Sequence, residues 1–192
     1  TRFALAGHKG NMQRGTHFDK TFAPCPSQHT MRTLQAIMVL RQMKRIAFDI
    51  KMAYCQADLP DDELIAVRYP PGFRRFRTVN GKEEELFMIL RKNLYGHPAA
   101  GRNWDKERNA RILEDFNNDE WNCTRCIKDP CLFKFKHQTG AVILALIHTD
   151  DVDAIGDNDE VLMALAARSR QQSLIPSEQP ARNHQSISHS QC

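Results

Sequence analysis

The spacing of apolar and polar positions along the chain changes several times, and the changes mark out its elements. The first thirty residues keep no period. They are rich in Gly, His and polar side chains and close on Thr21-Phe22-Ala23-Pro24. Thr30 then reads as an N-cap, because Met31, Leu34, Ile37 and Met38 fall on one helical face that runs to about Met43. Ile46 to Ile50 is a short apolar strand carrying Asp49, and Leu64 to Tyr69 is another, stopped by Pro70-Pro71-Gly72. Between Arg74 and Glu85 the pattern predicts a charged loop around the turn pair Asn80-Gly81, followed by a strand from Leu86 to Leu90. Leu94 to Pro98 is a turn. Trp104, Ala110, Leu113 and Phe116 set one face of a helix over 99–116. Cys131 to Lys136 and Ala141 to Ile147 are strands joined at Gln138-Thr139-Gly140, and Asp159 to Arg168 is a last helix with Val161, Leu162, Leu165 and Ala166 inward.

The predicted order is α, β, β, β, α, β, β, α, an α+β layout in one domain over residues 1–168. Residues 169–192 are set apart. From Gln171 onward there are five Ser, five Gln and no aromatic, so this tail is expected to be disordered or to be out-of-frame sequence. At 192 residues, 41% hydrophobic and 26% charged, the chain can bury a core. No run approaches the roughly 20 apolar residues that a membrane helix needs, so no membrane partner is expected. The start, Thr1-Arg2-Phe3, carries neither Met nor an apolar leader and reads as the interior of a longer sequence. The net charge of +4 is unevenly placed: residues 1–60 hold 9 Lys/Arg against 3 Asp/Glu, a basic segment suited to phosphates.

Two features carry candidate chemistry. Cys123, Cys126 and Cys131 suggest zinc, but only His137 is near as a fourth ligand and no second paired knuckle exists, so zinc is not expected. The stronger feature is His148-Thr149-Asp150-Asp151 at the end of an apolar run. Asp-Asp is a common turn dipeptide. With Asp49 on a neighbouring strand, however, the pair supplies hard oxygen ligands suited to Mg²⁺ and to in-line phosphoryl displacement.

Several ordered motifs extend this constellation. They are Thr21-Phe22-Ala23-Pro24, Phe48-Asp49-Ile50-Lys51-Met52-Ala53-Tyr54 and Pro70-Pro71-Gly72-Phe73, then Leu90-Arg91-Lys92-Asn93-Leu94-Tyr95-Gly96 through Trp104. Asp129-Pro130-Cys131-Leu132-Phe133 and Asp150-Asp151 with Gly156-Asp157 complete them. In this order they resemble the reverse transcriptase domain of copia-type LTR retrotransposon polyproteins, over about residues 2–165. The resemblance implies the fingers and palm of a right-hand polymerase, acting as an RNA-directed DNA polymerase with Mg²⁺ or Mn²⁺. Asp49 and Asp150 would be direct metal ligands and Asp151 a supporting carboxylate. Lys51, Ala53, Tyr54, Tyr95 and Gly96 would line the nucleotide pocket, with Tyr54 under the sugar selecting deoxyribose. Arg2 would reach the triphosphate. RNA template, DNA primer and dNTPs would be the partners, beside the integrase and ribonuclease H of the polyprotein. The setting would be intracellular, in a cytoplasmic particle or the nucleus.

Two departures from the family pattern bear on activity. His148 and Thr149 stand where an aromatic and an apolar residue usually precede the aspartates, at the place of primer contact. No thumb is legible after Ala166, and duplex grip depends on phosphate contacts. The alternative reading is therefore a decayed, catalytically inactive retroelement remnant with weak nucleic-acid binding.

Overall fold

The structure is a computed structural model and describes residues 4–7, 12–61 and 63–172. Its elements in chain order begin with α1 (Gln28–Leu40), β1 (Lys44–Asp49) and the one-turn α2 (Ala53–Gln56). Four short strands follow, β2 (Ala66–Arg68), β3 (Phe76–Val79), β4 (Lys82–Glu85) and β5 (Phe87–Ile89), and then the long helix α3 (Ala100–Asp115). The rest is β6 (Trp121–Arg125), β7 (Leu132–His137), β8 (Val142–His148), β9 (Asp151–Gly156) and α4 (Asp159–Gln172). The fold is α+β, as the periodicity predicts.

Five strands form the main sheet in the order β1-β9-β8-β7-β6, each pairing antiparallel with its neighbour. The pairs β2-β5 and β3-β4 stand apart from it. Side chains alternate across the sheet, and each face has its own core. On one face Phe133, Phe135, Ile143, Ala145, Val152 and Ala154 pack with Phe116, Leu162 and Leu165 from the helical segments. Phe116 meets Trp121 and Phe135 edge-on, with ring centroids 5.4 and 5.1 Å apart. On the other face Leu146 and Ile155 lie under Leu34 of α1, together with Met43 and Cys131. Burial of each large apolar side chain stabilises the fold by about 1.5–3 kcal/mol, so most of the stability resides in this sheet and its two covers.

The elements depart from the predicted ones where local hydrogen bonding or pairing outweighs the apolar pattern. The N-cap of α1 is Ser27, not Thr30: Ser27 Oγ accepts the Thr30 amide at 3.0 Å, and Met31 lies exposed. The Thr30 hydroxyl instead donates to Asp129. The charged loop is a hairpin, β3-β4, in which Asn80 and Gly81 take φ of +52° and +77°, the sign that a two-residue primed turn requires. β6 and β9 are strands that the pattern did not announce. Trp121 to Arg125 alternates buried and exposed, and Asp151 already belongs to the ladder because the β8-β9 turn takes only Thr149 and Asp150. On α3, Ala110 faces solvent, while the buried positions include Trp104, Arg108 and Asn109. The last helix continues past Arg168 to Gln172, since Ser169 to Gln172 hold no helix breaker. The rest of the predicted tail, 173–192, lies outside the described residues.

Asp129 explains one of the sequence motifs. Its carboxylate accepts the Ser27 amide at 3.0 Å, the Thr30 hydroxyl and the Cys131 amide at 3.1 Å, which ties the start of α1 to the entry of β7. Burial alone would raise its pKa, but these hydrogen bonds outweigh burial and hold it below the usual carboxylate range. The Asp129→Ala variant is expected to lose about 2 kcal/mol of stability by urea unfolding at pH 7. Because the folded-state pKa is depressed, that contribution is complete above the unfolded value near pH 4 and is lost as pH falls through the folded one. The gap between wild type and variant should therefore be constant from about pH 5 upward and close in acid.

Candidate active site

Strand periodicity makes the carboxylate cluster. In the β1-β9 register Asp49 faces Asp151, so both side chains leave the same face of the sheet. Asp150 sits in the two-residue turn between β8 and β9, and the Ile50 amide donates to its carbonyl at 2.7 Å, fastening the end of β1 to the turn. Asp49, Asp150 and Asp151 each bring a carboxylate oxygen within 4.8 Å of the others. Among the described residues this is the one group of three or more His, Cys, Asp or Glu side chains that converges in this way. Asp49 and Asp151 are exposed and Asp150 half-buried, so the oxygens are accessible to solutes. Hard oxygen donors on two fixed strand ends fit a divalent cation of the Mg²⁺ or Mn²⁺ class.

The turn is held from below. Thr149 takes φ of +54°, an unusual conformation for a β-branched residue. Its carbonyl accepts the Trp104 indole Nε1–H at 2.6 Å and the Arg108 Nη1–H at 3.2 Å. Arg108 is itself buried, and its Nη2 donates to Asp105 at 2.5 Å and to Asn109 Oδ1 at 3.0 Å. Burial lowers its pKa from the ordinary guanidinium value, with Asp105 opposing the shift. The apolar pattern puts Trp104 on one face of α3, where it is buried, and marks nothing at Arg108, since a backbone acceptor leaves no mark in a pattern of side chains.

The remaining predicted site residues fall into two groups. Tyr54 on α2 and Tyr95 meet edge-on, with centroids 5.5 Å apart. Tyr54 packs around Ala53, Ala57 and Trp104, so the aromatic pair and the turn share a support. Lys51 is exposed, and its carbonyl accepts Gln56 Nε2 at 2.7 Å. Gly96 takes φ of +86° against the backbone of Leu5, whose amide donates to the Tyr95 carbonyl at 2.6 Å. Buried Asn93 braces this turn: its Nδ2 donates to the Ala57 and Asp58 carbonyls, and its Oδ1 accepts from Asn103 at 3.1 Å. Arg2 lies outside the described residues. His148, the cross-strand partner of Asp151, borders a groove of about 730 Å³ with Arg45, Met31 and Asp153. Both of its ring nitrogens are shut from solvent without a hydrogen-bond partner among the described residues.

The cysteines follow a different logic. Cys123 packs in one core cluster and Cys131 in the other, and burial pushes their thiols up to about 12 and about 11. Both thus pack as neutral, apolar side chains.

Comparison with known proteins gives the family. The chain belongs to the reverse transcriptase (RNA-dependent DNA polymerase) family, which matches residues 3–168. It is 25% identical over 153 residues, 80% of its own length, to the retrovirus-related Pol polyprotein from transposon TNT 1-94 of Nicotiana tabacum. Together these matches make it a copia-type reverse transcriptase domain of retrotransposon descent. The aligned part is about 10% of that polyprotein. No solved structure matches.

The conformation at Gly96 gives a test of how tightly the tyrosine turn is built. A methyl group at Gly96 would run into the Leu5 backbone, whereas one at Gly140, also at positive φ, meets open space. Gly140→Ala should lose about 1 kcal/mol in urea unfolding, the left-handed penalty alone, and Gly96→Ala roughly 2–4 kcal/mol.

Proposed function

We propose that the chain supplies the palm and fingers of an RNA-directed DNA polymerase, transferring deoxynucleotides from dNTPs to a primer 3′-hydroxyl with release of pyrophosphate. The observation that carries this reading is the convergence of Asp49, Asp150 and Asp151 within 4.8 Å on paired strand ends. Divalent ions bound there would supply Lewis-acid activation of the hydroxyl and neutralise charge on the triphosphate. Asp49 and Asp150 would hold them, and Asp151 would add negative charge beside them.

The protein's own groups then do the positioning. Tyr54, braced by Tyr95, is the surface against which a deoxyribose rests and which a 2′-hydroxyl would strike. Ala53 and Gly96 would lie beside that surface, and exposed Lys51 would be placed for a phosphate. His148 and Thr149 stand at the primer end, where imidazole offers less stacking area than a larger aromatic ring. RNA template, DNA primer and the remaining polyprotein domains, integrase and ribonuclease H, are the partners this reading implies, inside a cytoplasmic particle or the nucleus.

Primer extension on an RNA template, with Mg²⁺ or Mn²⁺ and an Asp150→Asn control, tests it. Incorporation by wild type that disappears in the control is the expected result. Thermal unfolding provides a parallel readout. Mn²⁺ at ten times its Kd should raise Tm by about 3–5 °C in wild type and leave Asp150→Asn unmoved. Metal-dependent stabilisation without incorporation would favour the second reading, a remnant that keeps its site and has lost its reaction. His148 and Thr149 at the primer position are the residues that favour that outcome.

A further inference from the structure

We propose that Trp104 and Arg108 of α3 are positioning residues for the carboxylate cluster, holding Asp150 in place through the carbonyl of Thr149. The inference rests on reading Asp49, Asp150 and Asp151 as a metal site. It adds a clamp on a separate helix that acts on backbone and touches none of the three carboxylates.

Three observations carry it. Thr149 sits at φ +54°, where a β-branched residue stays only when its surroundings hold it. The two donors that hold it come from one helix face, at positions i and i+4, and take up both lone pairs of a single carbonyl at 2.6 and 3.2 Å. Arg108 is also 4% exposed, and a guanidinium buried that deeply for packing alone would be replaced to advantage by an apolar side chain. Its Nε and Nη2 hydrogens go to Asp105 and Asn109, and Asp105 lies 3.7 Å from Arg125 at the end of β6. The guanidinium is thus fixed before it reaches Thr149. Because Asp150 follows Thr149 directly and its own carbonyl takes the Ile50 amide, the peptide between the two clamps sets where the Asp150 side chain starts. Loss of either clamp lets this peptide rotate and spreads the three carboxylates.

Trp104→Phe is the test substitution in the full chain, since it removes the N–H and keeps most of the ring. Three quantities are read: Mn²⁺ affinity by water-proton relaxation, Tm, and hydrogen exchange of the Ile50 amide, with the Phe135 amide in the sheet interior as reference. The clamp predicts about three- to tenfold weaker Mn²⁺ binding, the equilibrium effect of one hydrogen bond, and faster Ile50 exchange with Phe135 unchanged. Thr149→Gly, which adopts the turn conformation without strain, should shrink both effects when combined with Trp104→Phe. A lower Tm with unchanged Mn²⁺ affinity and unchanged Ile50 exchange overturns the clamp and makes Trp104 a packing residue. If wild type binds Mn²⁺ no better than Asp150→Asn, the metal reading fails. The clamp is then decided by Ile50 exchange alone, supported by acceleration and overturned by none.

Discussion

The register between β1 and β9 is the constraint on which the rest of the site depends. A strand presents alternate side chains to opposite faces, so a slip of one residue would send Asp49 into the apolar core and bring Phe48 out beside Asp151. Burial opposes the slip. Ile46 and Phe48 pack against the core beneath α3 and α4, and turning them onto the opposite face, beside the carboxylates, would cost a few kcal/mol. The hydrophobic effect, acting on apolar side chains of one face, therefore fixes where the carboxylates of the other face stand.

Polar groups in the interior serve the same purpose where loops pack against the helices and strands. Asp129, Asn93 and Arg108 are each buried, and each is satisfied by backbone atoms that are distant in the chain. Hydrogen bonds of this kind add little net stability, yet leaving one unmade is expensive, so they penalise wrong arrangements more than they reward the right one. In this protein they sit where loops must meet strands: at the start of α1, at the tyrosine turn and under the aspartate turn.

Much of the fold was legible in the sequence wherever a segment is long and its burial one-sided. The strand bearing Asp49, the β7-β8 hairpin and α3 fall within a few residues of their predicted places. That the three aspartates would converge was legible because their residue type and their strand ends were visible together. What escaped has physical causes. β9 begins inside the Asp-Asp pair, so its alternation was hidden by a turn signal, and β6 was hidden by the spacing of Cys123 to Cys126 and Cys131. The capping choice between Ser27 and Thr30 was settled by Asp129, about a hundred residues away. Arg108 could not be foreseen, because its target is a carbonyl and every residue has one.

Strand β1 lies at one margin of the five-stranded sheet, with β9 on one side and no strand on the other among the described residues. Its outward N–H and C=O groups are a template onto which a strand of another molecule could add, the usual route from a folded domain to an aggregate. Lys44 and Arg45 at its beginning and Asp49 at its end place charge along that margin, which an added strand would have to match or desolvate. The guard against such addition thus includes one of the three clustered aspartates.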